Sequence, residues 1–437
     1  MLRKSIMILF TWLLAHSFAY AVLTIEITQG SAAAEPIALV PFEFVGKGVA
    51  PVSLKDIVAA DLQRSGQFSP LQDKDLISRP HDGTQVNYKT WRALNVGYLV
   101  VGKIHALVDG SYQVQFQLLD VFKGHQLAGY SIRSLSSGLR RTAHHISDII
   151  YKTITGEEGA FNTHISYITV IADENKKKSY QLAISDADGY NEKVIYQSSQ
   201  PLLSPRWSPD GTRIAYVSFS TGRSEIYIQN IFSAKRDKLA SFRGLNSAPR
   251  WSPDGRYMAL TLSKDGNAEI YIMNIRSRKL TRITRSYGID TEAEWLPKGD
   301  GLIFTSDRGG SPQLYEVKLK NNRTSSRPRR LTFEGNYNAR ASVSSDGRYI
   351  TMVHRSQGKF RIAVLERETQ HFRVLTKGTL DESPSFAPNG RMIIYATEEE
   401  FRGILSAVSV DGRARQRLSF NRGDVREPVW SPYKVNK

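Results

Sequence analysis

The side chains of this chain that stand close enough in sequence to cooperate in chemistry are few. They include the histidine pair His144-His145, carboxylate groups such as Asp173-Glu174 and Glu398-Glu399-Glu400, and three polar doublets, Thr291-Glu292, Asp381-Glu382 and Arg426-Glu427. Adjacent histidines on a helix point about 100° apart, so His144 and His145 lack the i, i+4 spacing of a His-Glu-x-x-His zinc protease. No Gly-x-Ser-x-Gly elbow and no phosphate-binding loop occurs. The acidic groups fall in segments read as solvated loops, and glycosidase chemistry would need one of them in a cleft with a raised pKa. With no cysteine there is no thiol chemistry and no disulfide. What remains is recognition chemistry. Catalysis, a cofactor and a metal are not expected.

The polar doublets recur at related places in a repeat. Pro205-Arg206-Trp207-Ser208-Pro209-Asp210-Gly211 returns as Pro249-Arg250-Trp251-Ser252-Pro253-Asp254-Gly255. Weaker copies stand at Trp295-Leu296-Pro297, Val343 to Gly347, Phe386 to Gly390 and Trp430-Ser431-Pro432. The position of Trp207 recurs after 44, 44, 48, 43 and 44 residues, a period that suits one four-stranded propeller blade. Between signatures come short β-rich runs split by Gly and Asp turns, as in 212–219, 225–231 and 238–242. The aromatic is expected between blades, Pro ends the ladder, Asp closes the turn and Gly supplies positive φ. The polar insertion 321–327 absorbs the longest spacing.

The last signature has a first strand (427–432) but no others, while 165–173, 180–185 and 193–197 form three strands with no first one. The C-terminus therefore completes the first blade and hides an open edge. The fold class is multidomain: an N-terminal α/β domain, then a six-bladed all-β propeller closed by the C-terminal strand. On one end of such a ring lie the loops before each innermost strand and those between second and third strands. Asn246, Thr291, Glu292, Asn338, Asp381, Glu382, Arg426 and Glu427 are its candidate binding residues, and the signature turns lie at the other end.

Residues 1–21 read as a secretory signal: Arg3 and Lys4, the apolar stretch 6–14, and Ala19-Tyr20-Ala21 with cleavage between Ala21 and Val22. Residues 22–34 form a leader in which Leu23, Ile25 and Ile27 alternate with polar residues, a ready strand on an alanine-rich tether. It can dock on its own domain, the favoured reading, or add to a partner's sheet. Residues 35–160 mix strands (36–42, 98–104, 112–120) with helices (54–65, 88–94, 139–153), and the propeller occupies 161–437. The formal charge of +17 reads first as an unselective solvated surface and next as one suited to an anionic envelope; the basic runs at 176–178 and 327–330 have no aromatic platform between them, and nucleic acid is not expected as a partner.

The leader Ile25-Glu26-Ile27-Thr28-Gln29-Gly30, Val40-Pro41-Phe42, the segment 61–68, the junction 155–165, 380–385, 387–390 and the C-terminal Trp430-Ser431-Pro432-Tyr433 together resemble the TolB family of the periplasmic Tol–Pal system. The resemblance implies a monomeric, non-enzymatic scaffold. Its propeller face holds Pal, a peptidoglycan-associated outer-membrane lipoprotein that gives it a peripheral link to that membrane. Its N-terminal strand, here Leu23, Ile25 and Ile27, contacts TolA, an inner-membrane protein driven by the proton gradient, and Pal binding sequesters that strand. Outer-membrane integrity and constriction at division are the implied roles. Where related chains can place a His before the second signature, this one has Leu245-Asn246-Ser247-Ala248. The alternatives are a periplasmic propeller that binds a glycan or small molecule in its channel and, further off, a propeller-containing hydrolase.

Overall fold

The computed structural model describes residues 24–29, 34–419 and 423–433. Among them, six sheets of the C-terminal part each hold four consecutive antiparallel strands or their equivalent. Blade 2, for example, runs Leu202–Trp207, Arg213–Ser218, Glu225–Asn230 and Arg236–Ala240. Blade 1 is composite: its innermost strand is Asp424–Trp430, paired antiparallel with His164–Ala172, then Lys178–Asp186 and Lys193–Ser198. The closing strand begins three residues earlier than its hydrophobic pattern indicates, and blade 6 carries Met392–Glu399 as a strand, so Glu398 and Glu399 are ladder residues and not loop.

The signature does its mechanical work between blades. The indole N–H of Trp251 donates to the Arg206 carbonyl at 3.2 Å and that of Trp295 to the Arg250 carbonyl at 3.2 Å, each reaching the preceding innermost strand. Trp207 does the same across the closure, to the Val429 carbonyl at 3.3 Å. In the turns, Asp210 Oδ1 accepts from the Thr212 N–H at 3.0 Å and Gly211 takes φ 66°.

The N-terminal domain is a mixed sheet in the order Phe68–Pro70, Glu35–Leu39, Tyr98–Ala106, Tyr112–Asp120, His125–Ser134, parallel on its first half and antiparallel on its second. Helices Leu54–Arg64 and Leu139–Thr155 bury Leu54, Val58, Leu62, Ala143, Ile146 and Ile150 against one face. Helix Tyr88–Ala93 covers the other with Trp91. Strand His125–Ser134 has no counterpart in the sequence reading, because its residues are largely exposed and it shows no apolar alternation. No helix among the described residues is long and apolar enough to cross a membrane.

This domain sits on the signature end of the ring, over blades 1 and 6. Glu157 pairs with Arg391 and the Glu158 carbonyl accepts from Asn389 at 3.1 Å, both in the blade 6 signature turn. The first helix stops at Gly66 (φ 70°), where a Cβ would come within 2.4 Å of Ala414 Cβ, so the close approach of helix end to blade requires glycine. Gln416 donates to the Arg64 carbonyl beside it. The leader strand Thr24–Gln29 also docks within the chain, but on the propeller and not on its own domain: it pairs antiparallel with Arg415–Ser419, the outer strand of blade 6. That edge offers unpaired backbone groups that the leader satisfies.

Asp148 ties the long helix to the junction, accepting from the backbone N–H groups of Phe161 at 2.9 Å and Asn162 at 3.2 Å. Burial pushes its carboxyl from 3.8 up to about 6, outweighing those donors. A carboxyl raised in the folded state binds its proton more tightly there, so its contribution to stability falls as pH rises from about 4 through about 6. Asp148→Asn should therefore gain stability relative to wild type as pH rises across that window, read as the difference in urea midpoint; a difference independent of pH would contradict the assignment.

Candidate interface at the free mouth of the propeller

Every innermost strand carries a bulge near its start, marked by a break in register: 203/206, 247/250, 291/294, 339/342, 382/385 and 426/429. The bulged residues are Ser204, Ala248, Glu292, Arg340, Ser383 and Glu427, and all six have φ between 48° and 56°. Left-handed backbone is costly for residues other than glycine, and its repetition at six equivalent places marks a built feature. The bulge turns these side chains toward one another around the axis.

At the centre of that ring Arg340 is held by three neighbours. Its Nε lies 3.0 Å from Glu292 Oε1, one terminal nitrogen donates to Ser383 Oγ at 2.5 Å, and that nitrogen is 3.5 Å from Glu427 Oε1. The carboxylates, Glu427 foremost, raise the guanidinium pKa against the opposing effect of burial. Glu427 Oε2 also accepts from the Ser204 N–H at 3.1 Å, which ties the closing strand to blade 2. One layer deeper, Arg250 Nε meets Glu294 Oε2 at 3.0 Å. Below it, toward the N-terminal domain, the channel opens into a cavity of about 410 Å³ lined by Arg206, Ser342, Ser385 and Pro432 among others.

The sequence-named residues divide by burial. Asn246, Asn338 and Asp381 occupy the first or preceding position of an innermost strand and are fully buried. The Asn246 amide bridges the Phe242 N–H (2.8 Å) and the Phe242 and Gly244 carbonyls. Asn338 binds Gln313 Oε1 at 2.8 Å, the Glu334 carbonyl at 2.7 Å and His354 Nδ1 at 2.9 Å. Asp381 accepts from the hydroxyls of Thr376 and, at 2.6 Å, Thr397. These three fix the shape of the mouth loops and leave few polar atoms for a ligand. Thr291, Glu292 and Glu382 are half-buried on the mouth, Arg426 is exposed and Glu427 is almost covered in the channel ring. Ala21, Val22 and Leu23 lie outside the described residues, and Ile25 and Ile27 are placed by backbone pairing opposite Leu418 and Gln416.

Two features escape a reading of motifs. Arg340, the hub of the ring, sits where the other blades hold Ser, Ala or Glu, so no repeat pattern singles it out. The rim itself is apolar: Leu245, Ile289 and Leu380, each just before a buried cap residue, are exposed, together with Leu203, Phe333 and Phe401. Their common position, one residue ahead of the buried polar cap of an innermost strand, is a signal that could have found the first three. An apolar rim around a charged centre, on the end of the ring that the N-terminal domain leaves free, is the chemistry of a protein-docking surface.

Comparison with known proteins gives concordant results. Residues 151–434 match the TolB beta propeller domain and residues 23–127 the TolB amino-terminal domain. The Tol-Pal system protein TolB of Xanthomonas campestris pv. campestris (strain B100) is 54% identical over 416 residues, covering 94% of each chain. The protein of the same name from Nitrosococcus oceani is 54% identical over 424 residues, covering 97% of this chain and 96% of its own. The crystal structure of TolB from Acinetobacter baumannii superposes with a TM-score of 0.87 at 42% identity, over 94% of this chain and all of that one.

Replacing Arg340 with Met should cost about 1–3 kcal/mol, because Glu292 and Glu427 are left facing each other without their donor. Chemical denaturation measures it; an unchanged midpoint would show that the ring contributes no stability.

Proposed function

Because this chain belongs to the TolB family, a non-enzymatic component of the Tol-Pal system, we propose that it is a periplasmic scaffold with two protein-binding surfaces. One is the free mouth of the propeller, which takes a Pal-like peptidoglycan-associated lipoprotein. The other is the leader strand, which pairs with a TolA-like inner-membrane protein. Exchange between these partners supports outer-membrane integrity and envelope constriction at division.

The observation that carries the reading is the placement of the two surfaces. The mouth is free because the N-terminal domain covers the opposite end, and its rim exposes Leu245, Ile289 and Leu380 around Arg340. Such a rim supplies buried apolar area, while Glu382, Arg426 and the half-buried Glu292 set charge complementarity. The leader is the fifth strand of blade 6, and its antiparallel pairing puts Thr24 opposite Ser419. Ser419 stands at the mouth end of the blade, where the closing strand Asp424–Trp430 also begins. A ligand seated on the mouth therefore lies beside one end of the leader. A strand held by an exposed edge is the kind of segment that transfers to another sheet, since the backbone hydrogen bonds it loses are remade on the partner.

In this reading Leu23, Ile25 and Ile27 give the transferred strand its apolar side, and Asn246, Asn338 and Asp381 act by holding the mouth loops in shape. The charge of the chain suits an anionic envelope without any specific lipid site.

The test uses two variants of the mature chain. Ile289→Ser combined with Leu380→Ser should weaken binding of the purified soluble domain of a Pal-like lipoprotein at least tenfold while leaving capture of a TolA-like domain intact. Removal of residues 22–34 should do the reverse. Loss of both interactions in either correctly folded variant, or of neither in both, would overturn the assignment of two separate surfaces.

A further inference from the structure

At the seam between the domains, three side chains distant in sequence converge. His144 comes from the long helix, Asp186 ends the third strand of blade 1 (Lys178–Asp186), and Asp188 lies in the turn that follows it. One ligand atom from each lies within 4.8 Å of the other two. We propose that His144, Asp186 and Asp188 form a binding site for a divalent first-row metal ion, Zn²⁺ by its mixed nitrogen and oxygen donors, which joins the N-terminal domain to the propeller.

Histidine carries the argument. His144 is 2% exposed, and its Nε2 makes no hydrogen bond although it is enclosed. That atom faces Asp188, with Oδ2 at 3.6 Å, too long for a hydrogen bond. It is close to the roughly 3.4 Å that separates two donors held about 2.1 Å from a tetrahedral ion. The opposite ring nitrogen, Nδ1, is bound by Asp61 Oδ2 at 2.7 Å. Asp61 is itself fixed by Ser147 at 2.7 Å and by Arg64. A carboxylate on the remote nitrogen is the arrangement that selects the tautomer with a free Nε2 lone pair and makes the ring a better metal donor.

The aspartates complete the set. Their side chains are 18% and 15% exposed, so an ion can enter from solvent, while the histidine is fixed from within. Asp186 Oδ2 accepts from the Asn191 amide at 2.7 Å, and the carboxylate would turn inward from that bond to reach the ion, with water in the fourth position. Arg140, which pairs with Asp188 and lies over the Tyr190 ring at 3.8 Å, competes with the ion for that carboxylate and limits its affinity. His164, whose Nδ1 is 3.3 Å from Asp186 Oδ1, backs the second aspartate from the propeller side. No spacing in the sequence announces such a site, because the ligands meet only when the two domains do.

The test is titration of untagged, chelator-treated mature protein with Zn²⁺ at pH 8, followed by calorimetry and by the shift in unfolding temperature. One ion per chain is expected, with an upward shift. His144→Gln and Asp188→Asn should each weaken binding at least tenfold, and His145→Ala, on the adjacent exposed ring, should leave it unchanged. Arg140→Gln, a substitution at a partly exposed side chain, should tighten binding, and this arm stands even if a ligand variant fails to fold. Absence of stoichiometric binding, retention of it in His144→Gln, loss of it in His145→Ala, or an unaltered affinity in Arg140→Gln would each overturn the proposal.

Discussion

Closure of the ring by the C-terminal strand is the constraint on which the rest of the molecule depends. Asp424–Trp430 pairs with His164–Ala172, so the first blade exists only when the last residues of the chain return to it. The same strand supplies Glu427 to the Arg340 cluster, the Val429 carbonyl to Trp207, and Trp430, whose indole donates to Thr163 at 2.8 Å where the junction enters the propeller. Closure thereby sets three things together: the edge of blade 1, the charged centre of the mouth, and the point from which the N-terminal domain hangs. The contacts are far apart in sequence, which makes them slow to form but mutually reinforcing once formed.

The two ends of the ring follow from this geometry. Signature turns gather at one end, and their Asp, Asn and Gly residues build tight, polar loops on which the N-terminal domain rests through Arg391 and Asn389. The other end holds the loops before each innermost strand, with buried Asn246, Asn338 and Asp381 keeping them in place. A fold that spends its rigid turns on the domain contact leaves its shaped loops free for a partner. The six left-handed bulges add a second function to the innermost strands, since they carry the ladder and at the same point turn a side chain into the channel.

How much of this could be read from the chain depends on whether the signal was local. The Trp-Ser-Pro-Asp-Gly repeats and their spacing carry the six blades, because each copy performs a local task that demands those residue types. The composite blade was legible from a strand count at the two ends. Strand His125–Ser134 was not, because its residues are set by neighbours across the sheet and not by alternation. The docking place of the leader was not legible either: its alternating pattern marks a strand, but the free edge that receives it is a property of blade 6. At the mouth, the named polar positions proved to be a mixture of buried loop supports and half-exposed groups. Both are polar residues ahead of a strand, and only packing separates them. Arg340 and the apolar rim have no motif, since their meaning lies in six blades brought to one axis.

The propeller holds the leader along the outer strand of blade 6, and the proposed function makes the mouth and the leader linked surfaces. Hydrogen–deuterium exchange of the backbone amides in Thr24–Gln29 tests this arrangement most directly, with and without a saturating Pal-like domain. Measurable protection is expected in the free protein, in step with Arg415–Ser419, and stronger protection of the same amides when the mouth is filled. Exchange of the leader at the rate of an unstructured peptide in both states would contradict it.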